Sequence, residues 1–251
     1  MMDEQKISAM REGGKILGNL LRDLKEYVKP GMTGKEVDAW VRKEIAKRGA
    51  GVAYDMLPKG EEFPGAICIS VNDALVHGAP NDEPFEEGDK VSFDLDIFYK
   101  GYFTDSAFTM IVGGKGNSAV KKMISVTESA MWEGIEQVKP GAHIGDIGAA
   151  VEKVLRAGKL GVIENYVGHG IGKGMHEDPE VPNYGKKGHG YKLKAGDTIC
   201  IEPMSCLGKP KNYIDKDDGW TAKMKDGSIG CHCEHTILVT ENGYEVLTLP
   251  D

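Results

Sequence analysis

The sequence has no apolar run approaching the length of a membrane span. Its start, Met1-Met2-Asp3-Glu4-Gln5-Lys6, also lacks the basic and apolar regions of a signal peptide. Both absences lead to the expectation of a cytoplasmic protein with no membrane partner. Cysteine is scarce: five residues, an odd number at irregular positions, argue against a disulfide framework and fit a reducing compartment. Cys231-His232-Cys233 looks like a metal fragment, but a structural zinc site needs a second ligand pair and none is suitably spaced, so these three are read as structural. Positive charge is in deficit, 31 Lys and Arg against 39 Asp and Glu, and the net -8 argues against a general nucleic-acid or anionic-membrane binder; no specific nucleic-acid binding is expected. The glycines of Gly113-Gly114-Lys115-Gly116-Asn117 are not followed by Gly-Lys-Ser/Thr, which excludes a phosphate loop and leaves a turn.

What is present is a repeated pattern. Ile7, Met10, Ile16, Leu17, Leu20, Leu21, Leu24 and Val28 recur near helical spacing, and Pro30-Gly31 stops that helix. Thr33 to Glu36 has the form of a capping box, followed by a stripe of Val37, Trp40, Val41 and Ile45. The tetrad Val28-Lys29-Pro30-Gly31 returns as Val138-Lys139-Pro140-Gly141, an offset of 110, between a helical stretch from about Ser118 to Gln137 and a stripe of Ile147, Ala150, Val151 and Leu155. The strands repeat as well: Gly88-Asp89-Lys90-Val91-Ser92-Phe93-Asp94 is mirrored by Gly196-Asp197-Thr198-Ile199-Cys200-Ile201-Glu202, an offset of 108. Two halves, about 1–113 and 117–251, each helix, helix, then antiparallel strands, read as one pseudo-twofold α+β domain.

From Val91 to Ile97 apolar and polar residues alternate, the signature of a strand with one buried face, and a turn at Tyr99 to Gly101 sends the chain back. Asp94 and Asp105 then fall at or near opposite positions on one face of a hairpin. Two anions that close repel unless a cation stands between them. By the repeat, Glu202 occupies the position of Asp94, and Glu234 opens the last strand of the second half as Asp105 does in the first. Four carboxylates and the imidazole of Gly168-His169-Gly170-Ile171-Gly172 describe a two-metal site of oxygen and nitrogen donors, suited to Mn, Fe, Co or Zn, and metal-assisted hydrolysis is the reaction class.

Ser70-Val71-Asn72-Asp73-Ala74-Leu75-Val76-His77-Gly78, the Asp94 and Asp105 pair, Gly168-His169-Gly170-Ile171-Gly172 with His176-Glu177, Ile201-Glu202-Pro203-Met204 and Glu234-His235-Thr236 together resemble the methionine aminopeptidases over nearly the whole chain. The resemblance implies the pita-bread fold, with a central antiparallel sheet flanked by helices in a single catalytic domain. It implies two divalent ions on Asp94, Asp105, His169, Glu202 and Glu234, a water or hydroxide bridging them, and Glu202 as proton shuttle. His176 is implied beside the scissile carbonyl and His77 beside the scissile nitrogen. The methionine pocket is implied at Cys68 and Trp220, with Phe63 as its upstream aromatic residue and Met175 where many bacterial relatives have an aromatic residue. Only 31 residues separate Glu202 from Glu234, and no amino-terminal zinc-binding extension precedes the catalytic unit, so the type I, short bacterial form fits.

By the same resemblance the substrates are peptides and nascent chains with an amino-terminal methionine and a small second residue. A monomer is expected, with transient ribosome association as an option. Two rivals are a proline-specific peptidase of the aminopeptidase P or prolidase kind, whose relatives usually carry a separate amino-terminal domain, and a binding protein that keeps the fold without catalysis. His143, His189, His232 and His235 are read as structural. Asp96 is left open between a hydrogen-bond partner of the site and a solvated side chain.

Overall fold

The computed structural model describes residues 3–58 and 62–251; Met1, Met2 and residues 59–61, the last within the segment expected to precede Phe63 in the pocket, lie outside the described residues. Helix α1 (Glu4–Tyr27) starts where Asp3 accepts a hydrogen bond from the Lys6 N–H, and it buries Met10, Leu17, Leu20 and Leu24. Helix α2 (Gly34–Lys47) begins at the expected capping box: Glu36 N–H donates to Thr33 Oγ1 at 3.2 Å and Thr33 N–H donates to Glu36 Oε2 at 2.8 Å. Such a cap is worth about 1 kcal/mol. Trp40, half-buried on α2, stacks on Tyr27 with ring centroids 4.4 Å apart.

Strands β1 (Gly51–Val52), β2 (Cys68–Val71) and β3 (Ala74–Val76) lead to the long hairpin of β4 (Lys90–Tyr99) and β5 (Tyr102–Ile111). The loop of that hairpin is the two residues Lys100 and Gly101, both at positive φ (50° and 91°), a mirror-image turn whose twist suits paired strands. Glycine takes the second of these positions without strain. The turn sets Tyr99 opposite Tyr102, so Asp96 pairs with Asp105 and Asp94 with Ala107. Asp94 and Asp105 thus share a face as expected, but Asp96 stands directly opposite Asp105. Val91, Phe93, Leu95 and Ile97 point the other way, into a core with Leu17, Leu20, Leu24, Val37 and Val41 of the two helices.

The second half runs α3 (Ser118–Ile135), α4 (Ile144–Ala157), β6 (Gly161–Val162), β7 (Gly168–Gly170), β8 (Glu177–Val181), β9 (Thr198–Ile201), β10 (Met204–Cys206), β11 (Asn212–Ile214), β12 (Ala222–Met224), β13 (Gly230–His232), β14 (Glu234–Val239) and β15 (Tyr244–Val246). Asp146 accepts from the His143 N–H at the start of α4 as Glu36 does from Thr33 at the start of α2. The α3–α4 layer packs Met123, Ile135, Ile147, Val151 and Leu155 against Ile199, Ile201 and Ile237. One sheet, in the order β1-β4-β5-β14-β9-β7-β8, joins the halves through β5 and β14, with β2 also on β4 and β15 on β14. That junction is only two residue pairs long, Ala107 with Glu234 and Ser106 with His235. Leu247 returns to pack with Ile7 and Met10, and Arg11 pairs with Glu245 at 2.6 Å, so the end of the chain fastens its first helix.

Lys90 is fully buried at the start of β4, its ammonium donating to the carbonyls of Ser70 (3.0 Å) and Ala74 (2.9 Å). Burial pulls its pKa down to about 8. Lys90→Met keeps the aliphatic stem but leaves both carbonyls unpartnered, and after allowing for the desolvated charge removed it should cost about 1–3 kcal/mol. A fall in the urea midpoint checks this; an unchanged midpoint would mean the ammonium contributes nothing net.

Candidate metal centre and substrate pocket

A cavity of about 910 Å³ opens over the junction of the two halves, with acids at its floor and apolar and aromatic side chains around it. Strand β4 supplies Asp94 and Asp96, β5 supplies Asp105, β7 supplies His169, the residue after β9 is Glu202, and Glu234 opens β14; all six are buried. His169 Nε2 lies 3.4 Å from Glu202 Oε1 and 3.8 Å from Asp105 Oδ2. The five residues expected as ligands are therefore brought together. Their backbones are pinned: Thr236 Oγ1 donates to the Asp105 carbonyl at 2.7 Å, Ser106 Oγ donates to the Glu234 carbonyl at 2.8 Å, and Asn183 Nδ2 donates to the Glu202 carbonyl at 3.1 Å.

The glycines around His169 have a steric reason. A Cβ at Gly168 would stand 2.2 Å from the Cys200 carbonyl oxygen, and one at Gly170 would stand 2.2 Å from that of Asp178. Only with glycine at both positions can β7 lie this close to β9 and β8. His169 Nδ1 is 2.9 Å from the Gly170 carbonyl, so Nδ1 carries the proton and Nε2 turns a lone pair toward the acids.

Burial raises the pKa of Asp94, Asp96, Asp105, Glu202 and Glu234 above the usual carboxylate range, and repulsion from neighbouring acids adds to it for all but Glu202. Desolvation brings His169 down to about 3 and His77 down to about 4, so both imidazoles are neutral at physiological pH. Asp94 Oδ1, Asp96 Oδ1, Asp105 Oδ1 and Glu234 Oε1 are buried with no hydrogen-bond partner. Leaving one buried polar group unpaired costs about 1–3 kcal/mol, more if charged. Unpartnered carboxylate oxygens converging beside a lone-pair nitrogen are what a divalent-ion site requires. The donor set fits such ions.

Beyond the acids, His176 opens into the cavity with its ring edge-on to His169, centroids 4.4 Å apart, and His77 stands edge-on to Tyr166 at 5.6 Å. His77 holds φ +57, an uncommon conformation for a residue with a side chain. Phe63, Met175 and Trp220 line the wall, Phe63 meeting Trp220 edge-on at 5.4 Å and Tyr54 at 4.7 Å. Cys68 does not reach the cavity. Its Sγ lies 3.2 Å from the Tyr54 hydroxyl, and Tyr54 forms the wall in its place.

Of the two readings left open for Asp96 one is removed, and His232, read only as structural, stands beside the floor acids. Asp96 is buried rather than solvated, within reach of Asp94 and Asp105. His232 is not a remote structural histidine: its ring nitrogens lie 3.6 Å from Glu202 Oε2, 3.6 Å from Glu234 Oε2 and 3.9 Å from Asp94 Oδ2. The signal for His232 was its place two residues before Glu234, which puts both on one side of an extended chain. The other three histidines stay outside, His235 facing Thr248 at 2.7 Å and His143 preceding α4.

The sequence model of metallopeptidase family M24 matches residues 8–241. Methionine aminopeptidase of Clostridium perfringens is 40% identical over 251 residues, covering 99% of this chain and 98% of that protein. Methionine aminopeptidase 1 of Bacillus subtilis is 38% identical, covering 97% and 96%. Among solved structures, methionine aminopeptidase of Rickettsia prowazekii superposes with a TM-score of 0.94 at 36% identity, covering 99% of both chains. The prolidase of Pyrococcus horikoshii superposes at 0.76 with 25% identity, and this chain spans 64% of its length.

Proposed function

The chain belongs to metallopeptidase family M24 and, within it, to the methionine aminopeptidases, and from that premise we propose that its acid-floored cavity removes the amino-terminal methionine from peptides and nascent proteins whose second residue is small. The observation that carries the reading is the convergence of unpartnered buried carboxylate oxygens with the His169 lone pair at the floor of a cavity walled by Phe63, Met175 and Trp220. Asp94, Asp105, His169, Glu202 and Glu234 would hold two divalent ions drawn from Mn, Fe, Co or Zn. Bound there, the ions supply Lewis acidity and lower the pKa of the attacking water. Glu202 takes the proton of that water and returns it to the departing amine. His176 hydrogen-bonds the carbonyl oxygen as it gains charge, and His77 addresses the scissile nitrogen and the small residue that follows. Phe63, Met175 and Trp220 hold the methionine side chain. The protein works as a monomer in the cytoplasm, meeting nascent chains during or after synthesis.

The test compares three outcomes: release of methionine from a Met-Gly peptide, cleavage of an Xaa-Pro peptide, and no cleavage. Only the first agrees with the proposal. The superposition on a prolidase makes the second the informative control.

His176→Ala should lower kcat by about a hundredfold or more with a smaller effect on KM, because a donor to the developing oxyanion acts mainly in the transition state. A raised KM at unchanged kcat would make His176 a binding residue. Met175→Phe addresses the pocket. Methionine is flexible and polarizable, so Met175 packs on a thioether while defining the cavity less rigidly than a ring. The wild type should cleave norleucine-first peptides comparatively well, and the phenylalanine variant should shift the methionine-to-norleucine ratio of kcat/KM up to about tenfold, within the roughly 1–3 kcal/mol that apolar pockets assign to a methylene. An unmoved ratio would remove Met175 from specificity.

A further inference from the structure

His232 ends β13, and its backbone is held from both sides by one hydroxyl: Thr109 Oγ1 donates to the His232 carbonyl at 2.6 Å and accepts from its N–H at 3.3 Å. The ring is buried, 1% of the residue being accessible, and neither of its nitrogens has a hydrogen-bond partner. A structural histidine in an interior normally donates one N–H and accepts with the other nitrogen, and leaving either unpaired costs about 1–3 kcal/mol. Here three carboxylate oxygens, from Glu202, Glu234 and Asp94, face the ring at 3.6, 3.6 and 3.9 Å. Those separations are too long for hydrogen bonds.

They match another geometry. Two donor atoms each about 2.1 Å from one ion and subtending roughly 110–120° stand about 3.4–3.6 Å apart. His169 Nε2 shows that spacing to Glu202 Oε1, 3.4 Å, and His232 Nε2 shows it to Glu202 Oε2 and Glu234 Oε2, 3.6 Å each. Glu202 therefore stands between two imidazoles, one facing each of its oxygens. Glu202, His232 and Glu234 also form a group whose ligand atoms all lie within 4.8 Å of one another.

We propose that His232 is itself a metal ligand through Nε2, so that the ion between Glu202 and Glu234 has a nitrogen donor and each of the two ions carries one imidazole. The proposal rests on the two-ion reading above. Its chemical consequence is selectivity. An imidazole in place of an oxygen donor favours cobalt, nickel and zinc over manganese at that position, because affinity for nitrogen rises along the series.

The test is zinc X-ray absorption on the full chain loaded to saturation, with stoichiometry from calorimetry. Two zinc ions per chain with an average of about one imidazole per zinc is the expected result, from His169 and His232 together. His232→Gln should drop that average to about one half. The same variant should weaken zinc at one site by about 10–100-fold while weakening manganese less. Two ions with about half an imidazole each in the wild type, unchanged in the variant, would overturn the proposal and leave the two-ion reading standing. A single bound zinc would instead overturn the two-ion reading. In that case two imidazoles on the ion would still support His232, and one would overturn it. Because the wild-type count is decisive alone, a variant that failed to fold would not block the answer.

Discussion

Glu202→Gln is expected to reduce kcat by about 10²–10⁴-fold, the range that a positioned proton acceptor contributes. The substitution nearly preserves volume and keeps one oxygen, so its effect is chemical rather than steric. Glu202 is buried, its backbone carbonyl is held by Asn183, and its two oxygens face His169 and His232. An amide there can accept no proton from water, and its N–H₂ offers no lone pair to an ion. Loss of ligand charge adds to loss of proton transfer. The two effects separate in the measurement: metal content is determined on the same sample as kcat, and activity is read with both ions restored. If the variant turns over at the wild-type rate with its ions in place, another group carries the proton.

The second large effect is expected from removing metal. Chelation should abolish peptide cleavage and divalent ions should restore it; full turnover in stripped protein with chelator present would end the hydrolytic mechanism. Stability should move as well. Ions at about 100 times their dissociation constant add about 2.7 kcal/mol, which for a chain of this size corresponds to a Tm about 5–10 °C higher. The pH dependence has a definite sign. In the metal-free protein the five floor carboxyls are raised above their unfolded values. Between the unfolded and the raised folded pKa the native state binds more protons, so their contribution to stability falls as pH rises through that window. Ions bind the deprotonated ligands and displace those protons, so the stability they add grows with pH over the same window. The Tm difference between loaded and stripped protein should therefore widen from acid toward neutral pH. A gap that stayed constant with pH would mean that the carboxyls are already ionised without metal.

Much of this architecture is written locally. The capping box at Thr33 and Glu36, the stripe of α2 and the strand from Val91 to Ile97 depend on residues a few positions apart and occur as expected, except that β4 is buried on both faces rather than on one. What was not legible depends on geometry outside the local pattern. Tyr99 to Gly101 marks a turn in the sequence, but the loop is two residues, and that count decides that Asp96 rather than Asp94 faces Asp105. Cys68 and Tyr54 are far enough apart that only packing decides which of them reaches the cavity. His232 sits on a strand of three residues, too short to show a period, and its neighbours Glu202 and Asp94 come from other strands. The family resemblance named five donors. It did not name His232, and the one local signal, its place two residues before Glu234, carried no weight alone because the ring's burial and its missing partners exist only once β13 is laid beside β10 and β5.

The two-pair junction between β5 and β14, and the return of Leu247 onto Ile7 and Met10, bear on the order in which this protein can be made. As the chain leaves the ribosome, Asp94, Asp96 and Asp105 emerge long before Glu202 and Glu234, so for most of synthesis the first half presents its acidic face without the groups that complete it. The amino-terminal part of the first helix, too, waits for nearly the last residues before Leu247 packs with Ile7 and Met10. A copy still being translated has no site. Any trimming of this chain's own amino terminus during its synthesis must be performed by another molecule that was finished earlier.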